Sequence, residues 1–178
     1  MTSPFGPARD APQVELDPVT VDHPVLNAML QMWNSKCAGR AMPSRADFSP
    51  RELKDYLGWI FLVDVLENDY RYRVVGSHIT RYFLGHGTGK TLTQAFEGFP
   101  AEFANGITLL YQTVCAIKRP LRMVGPCNEV RDVFFPEYDS LYLPLSDDGE
   151  RVNMLMGVFV FDANEVRARA RMSLAGHA

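Results

Sequence analysis

Apolar runs of strand character, separated by helical stripes, set the pattern of this chain. From Trp59 to Leu66 the residues are β-branched, aromatic or aliphatic, interrupted at Asp64, as in a strand covered on both faces. Glu67, Asn68 and Asp69 turn the chain. Tyr70, Arg71, Tyr72, Arg73, Val74 and Val75 then alternate, with Tyr70, Tyr72 and Val74 on one face and both arginines on the other at the outset. The two runs predict an antiparallel hairpin with one half-solvated strand. After Gly76, His78, Ile79, Tyr82 and Phe83 are spaced for a helical turn, and Gly85, Gly87 and Gly89 make a glycine-rich loop.

Along the rest of the chain the same reading predicts further elements. Residues 1–21 carry Pro4, Pro7, Pro12 and Pro18 with few large apolar groups, so they are expected to form a flexible lead-in whose removal costs no core. Asp22 can cap a helix with Pro24 in its first turn, in which Leu26, Met29, Leu30, Trp33 and Cys37 share a stripe ending near Gly39. Ser49-Pro50-Arg51-Glu52 writes a capping box for a short helix to about Tyr56, and Gly58 ends it. Thr91 to Glu97 makes one or two helical turns. Ala101 to Lys118 is the clearest helix, with Phe103, Ile107, Leu110, Val114 and Ile117 on one stripe and Pro120 as its stop. Leu121 to Gly125 is a third strand, and Pro126 to Asp139 a loop. Leu141 to Leu145 is a fourth strand, with Pro144 at a bulge or an unpaired side. After a turn at Ser146 to Glu150, Val152 to Phe161 is apolar on both faces and should be central. Asp162 and Glu165 write another capping box for a C-terminal helix bearing Arg167, Arg169 and Arg171. This order fits an α+β fold, a five-stranded antiparallel sheet with helices packed on one face.

A hairpin ending in Arg71-Tyr72-Arg73-Val74-Val75-Gly76, a short helix and then Gly87-Thr88-Gly89-Lys90-Thr91-Leu92 resembles the PAS sensory domain. More narrowly, it is similar to a compact bacterial PAS subfamily often found without an attached catalytic domain. Pro43-Ser44-Arg45-Ala46-Asp47-Phe48 and Leu143-Pro144-Leu145-Ser146-Asp147-Asp148-Gly149 belong to the same resemblance, which covers residues 22–162. It implies a PAS-like domain over 22–162, including the N-terminal helix, and the capping box at Asp162 then makes 163–178 a C-terminal helix and tail. It also implies that the N-terminal helix lies across the open face of the sheet or pairs with its copy in a dimer; completing the monomer core is the other reading.

Composition narrows the partners. With 178 residues, 47% hydrophobic and 22% charged, the chain is one ordinary globular domain. A net charge of −3 offers no long-range attraction for nucleic acid or anionic membrane. No apolar run is long enough to span a membrane and no secretory signal is apparent, so a cytoplasmic protein is expected. Cys37, Cys115 and Cys127 are widely spaced, without metal-ligand spacing, and read as reduced thiols.

Little in the pattern carries catalytic chemistry. Gly87 to Thr91 imitates a phosphate loop, but Leu84 occupies the position of its first glycine and a helical turn precedes it where a strand is needed. Those glycines are expected to permit tight turns beside a ligand cavity. The long helix holds no histidine of the kind a haem-binding PAS domain uses, and the flavin-adduct cysteine motif of light-sensing PAS domains is missing, so neither haem nor flavin is supported. His78 is the better of His78 and His86 for a ligand contact or an axial ligand, against a structural role at its turn. Asp64 needs a partner, for which Arg71 or Arg73 is available. The expected pocket lies between the inner sheet face and the helices. Its candidate wall is His78, Tyr82, Phe103, Ile107, Tyr111, Met123, Met154 and Met156; the methionines serve equally as core fillers.

Two classes of function follow. The first is a stand-alone PAS-type regulatory module without a catalytic output domain. It would bind a small apolar or amphipathic molecule, a partner protein or both, and act through its terminal helices as a homodimer or with a partner. The second is a small enzyme with a conical pocket on a curved sheet, in which His78, Asp64 and Tyr111 converge on a substrate. A purely structural dimerisation unit is a third possibility.

Overall fold

The computed structural model describes residues 12–82, 87–125, 128–130 and 133–161. Its centre is a six-stranded, wholly antiparallel sheet in the order β1-β4-β7-β8-β2-β3. The strands are β1 (Gln13–Leu16), β2 (Ile60–Val65), β3 (Tyr70–Val75), β4 (Leu121–Gly125), β7 (Tyr138–Leu145) and β8 (Met154–Phe161). A separate hairpin pairs β5 (Asn128–Val130) with β6 (Val133–Phe135). Five strands were expected; the sixth, β1, lies in the segment read as a flexible lead-in. Its four residues are all exposed and it is held by its ladder to β4, so no apolar periodicity announces it. The hairpin β5-β6 likewise replaces part of the expected loop after Gly125. The C-terminal helix and its capping box, together with Gly85, His86 and Cys127, lie outside the described residues.

Helices cover both faces of the sheet, the flanking N-terminal helix lying across the face that the others leave open. Helix α1 (Pro24–Cys37) packs Leu26, Met29, Leu30 and Trp33 onto Ile60 and Leu62 of β2, the odd-numbered leucines of β7 and Met154, Met156, Val158 and Val160 of β8. The Trp33 indole N–H donates to the Pro144 carbonyl at 2.8 Å. Pro144 stands past the end of β4, whose ladder with β7 stops opposite Tyr142, so its missing N–H leaves no gap on that side. The apolar stripe of α1 therefore completes the core of its own chain, and Trp33 is not a free docking surface. Because Pro24 is the first helical residue, the cap is His23 rather than Asp22: His23 Nδ1 accepts from the Val25 N–H at 3.2 Å.

On the opposite face lie α3 (Ser77–Thr80), α4 (Leu92–Ala95) and α5 (Ala101–Ile117). The capping box of Ser49 and Glu52 opens α2 (Pro50–Leu53) as expected. Two others, Ser44 with Asp47 and Thr91 with Gln94, open a 3-10 turn and α4. The glycine-rich loop closes the edge of β3: the Gly89 N–H donates to the Tyr72 carbonyl at 2.7 Å and the Tyr72 N–H to the Lys90 carbonyl at 3.0 Å.

Candidate functional site

Strand alternation decides which residues face α5. Phe61 and Val63 of β2, Tyr70 and Tyr72 of β3, Tyr142 of β7 and Leu155 and Phe159 of β8 point that way, and Ile79, Leu92, Phe96, Tyr111 and Val114 come down from the helices. Phe61 sits at the centre, with ring centroids 5.9 Å from Tyr72, 6.2 Å from Tyr111, 6.3 Å from Tyr142 and 5.7 Å from Phe159. Such spacings, edge-on to Tyr72 and Tyr142 and tilted to Tyr111 and Phe159, suit aromatic rings, whose faces are negative and edges positive.

Within this cluster is a cavity of about 30 Å³ lined by Phe61, Tyr72, Ile79, Phe96, Ile107, Tyr111, Tyr142 and Phe159. The polar side-chain groups of its lining residues are tyrosine hydroxyls, and the Tyr72 and Tyr111 hydroxyls are hydrogen-bonded at 3.0 Å. Burial drives the Tyr72, Tyr111 and Tyr142 hydroxyls well above the usual phenol range. It pushes Tyr70 up to about 12. Burial also pushes the Cys115 thiol to about 11, against the opposing pull of its hydrogen bond with Tyr70. The lining is therefore uncharged at neutral pH.

The expected wall divides. Ile107 and Tyr111 line the cavity, and Phe103 and Met123 pack against the same aromatic cluster. Tyr82 meets the Phe161 ring at a tilt, centroids 5.1 Å apart, and does not line the cavity. Met154 and Met156 lie on the other face of the sheet, under α1, because alternation along β8 sends Leu155 and Phe159 toward α5. His78 is exposed and lies tilted against Trp59, ring centroids 4.1 Å apart; a side chain at Gly58 would strike its imidazole, at 2.5 Å. Asp64 bonds Arg73 at 2.6 Å, one of the two arginines expected for it. Asp64 thus pairs across the hairpin, His78 lies outside against Trp59, and Tyr111 is in the aromatic core. The convergence required by the enzyme reading is not formed.

Sequence reasoning missed Phe61, Tyr72, Ile79, Phe96, Tyr142 and Phe159. One signal was available for the last strand. A glycine inside a strand marks a close approach, and a Cβ on Gly157 would lie 2.1 Å from the Phe61 ring. Gly157 shares its face with Leu155 and Phe159, so its parity identifies the side that holds the large ring.

The PAS domain model matches residues 21–160, and the chain belongs to the PAS domain family. No curated protein matches the sequence. Among solved structures, an RNA-binding light-oxygen-voltage receptor is similar in fold, with a TM-score of 0.50 and 14% identity. That likeness covers 97% of this chain, which spans only 46% of the receptor. A light-oxygen-voltage domain studied with a flavin analogue overlaps 71% of this chain and 93% of its own, at 14% identity and a TM-score of 0.43. At that identity the receptor establishes the fold alone. The protein has the architecture of a sensory domain, and no described helix is long and apolar enough to cross a membrane.

Proposed function

We propose that this protein is a PAS-type regulatory module whose state is set by a small neutral molecule in the aromatic cavity and passed on by association with a partner protein or a second copy. The observation that carries this reading is the cavity itself, uncharged and ringed by aromatic side chains between α5 and the sheet. The reading has no catalytic step. Its output surface is the C-terminal arginine-bearing segment rather than the Trp33 stripe, which is occupied by the chain's own sheet. A cytoplasmic setting suits it, with Cys37 and Cys115 as free thiols. Exclusion of nucleic acid rests on the −3 charge alone, since a protein of this fold is described as RNA-binding.

The small size of the cavity favours a second reading, an interaction module with a filled core. Native mass spectrometry of the protein as purified, before and after denaturation, separates the two. A mass excess lost on denaturation is the expected result, and the same spectrum gives the subunit count. An unliganded dimer favours the interaction module. Absence of bound mass, together with silent core resonances when small neutral probes are added, sinks the ligand half of the proposal.

A further inference from the structure

The hydroxyls of Tyr72 and Tyr111 lie 3.0 Å apart, and either can be the donor. Each hydroxyl carries one hydrogen and can also accept. The bond between them uses one hydrogen, whichever way it points. The second hydrogen still requires an acceptor, and among the described residues no other protein group hydrogen-bonds to either hydroxyl. Tyr72 is 1% exposed and Tyr111 2%, so bulk solvent does not meet the demand. Both residues line the same cavity, whose remaining wall is mainly apolar and includes no charged side chain.

We infer that the cavity selects a small neutral ligand through a hydrogen-bond acceptor, which receives the spare hydrogen of the Tyr72–Tyr111 pair. A cavity of about 30 Å³ suits a ligand of about two or three heavy atoms. A cation would meet no carboxylate and an anion no basic side chain in this lining. A molecule with only donors would compete with the tyrosines without satisfying their spare hydrogen. This inference rests on the ligand half of the proposed function and adds the chemistry of recognition.

Acetonitrile and propyne form a suitable probe pair: both are rods of three heavy atoms, but only acetonitrile carries a nitrile acceptor. Each is titrated into the protein while the Ile79 and Ile107 methyl signals are followed by NMR. Removing both hydroxyls, by Tyr72→Phe with Tyr111→Phe, should lower the acetonitrile-to-propyne affinity ratio about fivefold or more. Either single substitution leaves one hydroxyl hydrogen and keeps the ratio. Infrared spectra of acetonitrile bound to the wild-type protein give a readout that does not depend on the double variant folding. The nitrile stretch should lie above its position in hydrocarbon solvent, as a hydrogen-bonded nitrile does. An unshifted stretch, or a ratio that survives loss of both hydroxyls, overturns the acceptor rule and leaves the cavity reading standing. If neither probe moves the isoleucine signals, the cavity reading fails as well.

Discussion

At Gly157 the sheet has no room for a side chain. A Cβ there would lie 2.1 Å from two Phe61 ring carbons, and Phe61 is itself boxed in by Tyr72, Tyr111, Tyr142 and Phe159. Gly157→Ala should therefore destabilise the protein by about 1–3 kcal/mol through overpacking. The effect would appear as a lower urea midpoint with an unchanged slope, partly restored by Phe61→Leu in the same background. A neutral Gly157→Ala would mean that the ring is not held there. His23 makes a different single-residue demand. Its Nδ1 accepts from the Val25 N–H, so the cap needs the neutral imidazole with its hydrogen on Nε2. Burial holds the His23 pKa below the ordinary 6.5, against an upward pull from Asp139. The fold favours the neutral form, so this contribution is present above the unfolded pKa and lost as pH falls through the lower folded value. Protonation also sets positive charge at the positive end of α1. Urea midpoints should fall between about pH 7.5 and pH 5.5, and His23→Asn, which caps without titrating, should flatten that part of the fall. An identical pH dependence in the variant would remove His23 as the cause.

Among the elements, β1 is the one attached by least. All four of its residues are exposed, and beyond the ladder to β4 it is tied by Glu15 to Arg122 and by the neighbouring Asp17 to Arg119, each at 3.4 Å. Exposed pairs of this kind contribute about 0–1 kcal/mol each. Hydrogen exchange should accordingly be fast in β1 and slowest in β8, which is central and almost wholly buried. Deleting residues 1–16 should move the urea midpoint little, since Val21, the core residue nearest in sequence, is retained. A large loss would show that β1 supports more than its own ladder. The elements legible in the sequence were those with local signals. Helix α1 had its stripe, α2 its capping box, α5 its stripe and terminal proline, and the β2-β3 hairpin its turn and alternation. Strand β1 was illegible because its strand state comes from β4, and Val14 and Leu16 remain 55% and 56% exposed. Along β8 alternation gives no contrast for the opposite reason, since Met154 to Phe161 is apolar throughout; Gly157 alone marks a face, and Met154 and Met156, candidates for the wall and for core filling alike, lie under α1. Whether α1 served its own sheet or a second copy was a tertiary question that its amphipathic stripe left open.

Over the whole molecule the sheet is a partition between two unlike cores. The α1 side is mainly aliphatic and methionine-rich, with Trp33 and Phe48, whereas the α5 side gathers Phe61, Tyr70, Tyr72, Phe96, Tyr111, Tyr142 and Phe159. Strands β2, β7 and β8 contribute to both, so neither core can be dismantled without exposing the back of the other. That architecture ties tyrosine ionisation to global stability. Of the chain's seven tyrosines, Tyr70 and Tyr138 are pushed by burial to about 12, and burial raises Tyr72, Tyr111 and Tyr142 as well. The folded state holds these five in the neutral form. Their contribution is therefore complete below the unfolded phenol pKa of about 10 and is lost as pH rises toward the folded values. Absorbance of tyrosinate and far-ultraviolet circular dichroism, recorded together through an alkaline titration, should show these five ionising in one cooperative step with loss of the sheet. Separate steps, with tyrosinate from the core appearing while the sheet signal is intact, would mean that water reaches the α5 side without unfolding. The two cores would then open independently, and the shared strands would not couple them.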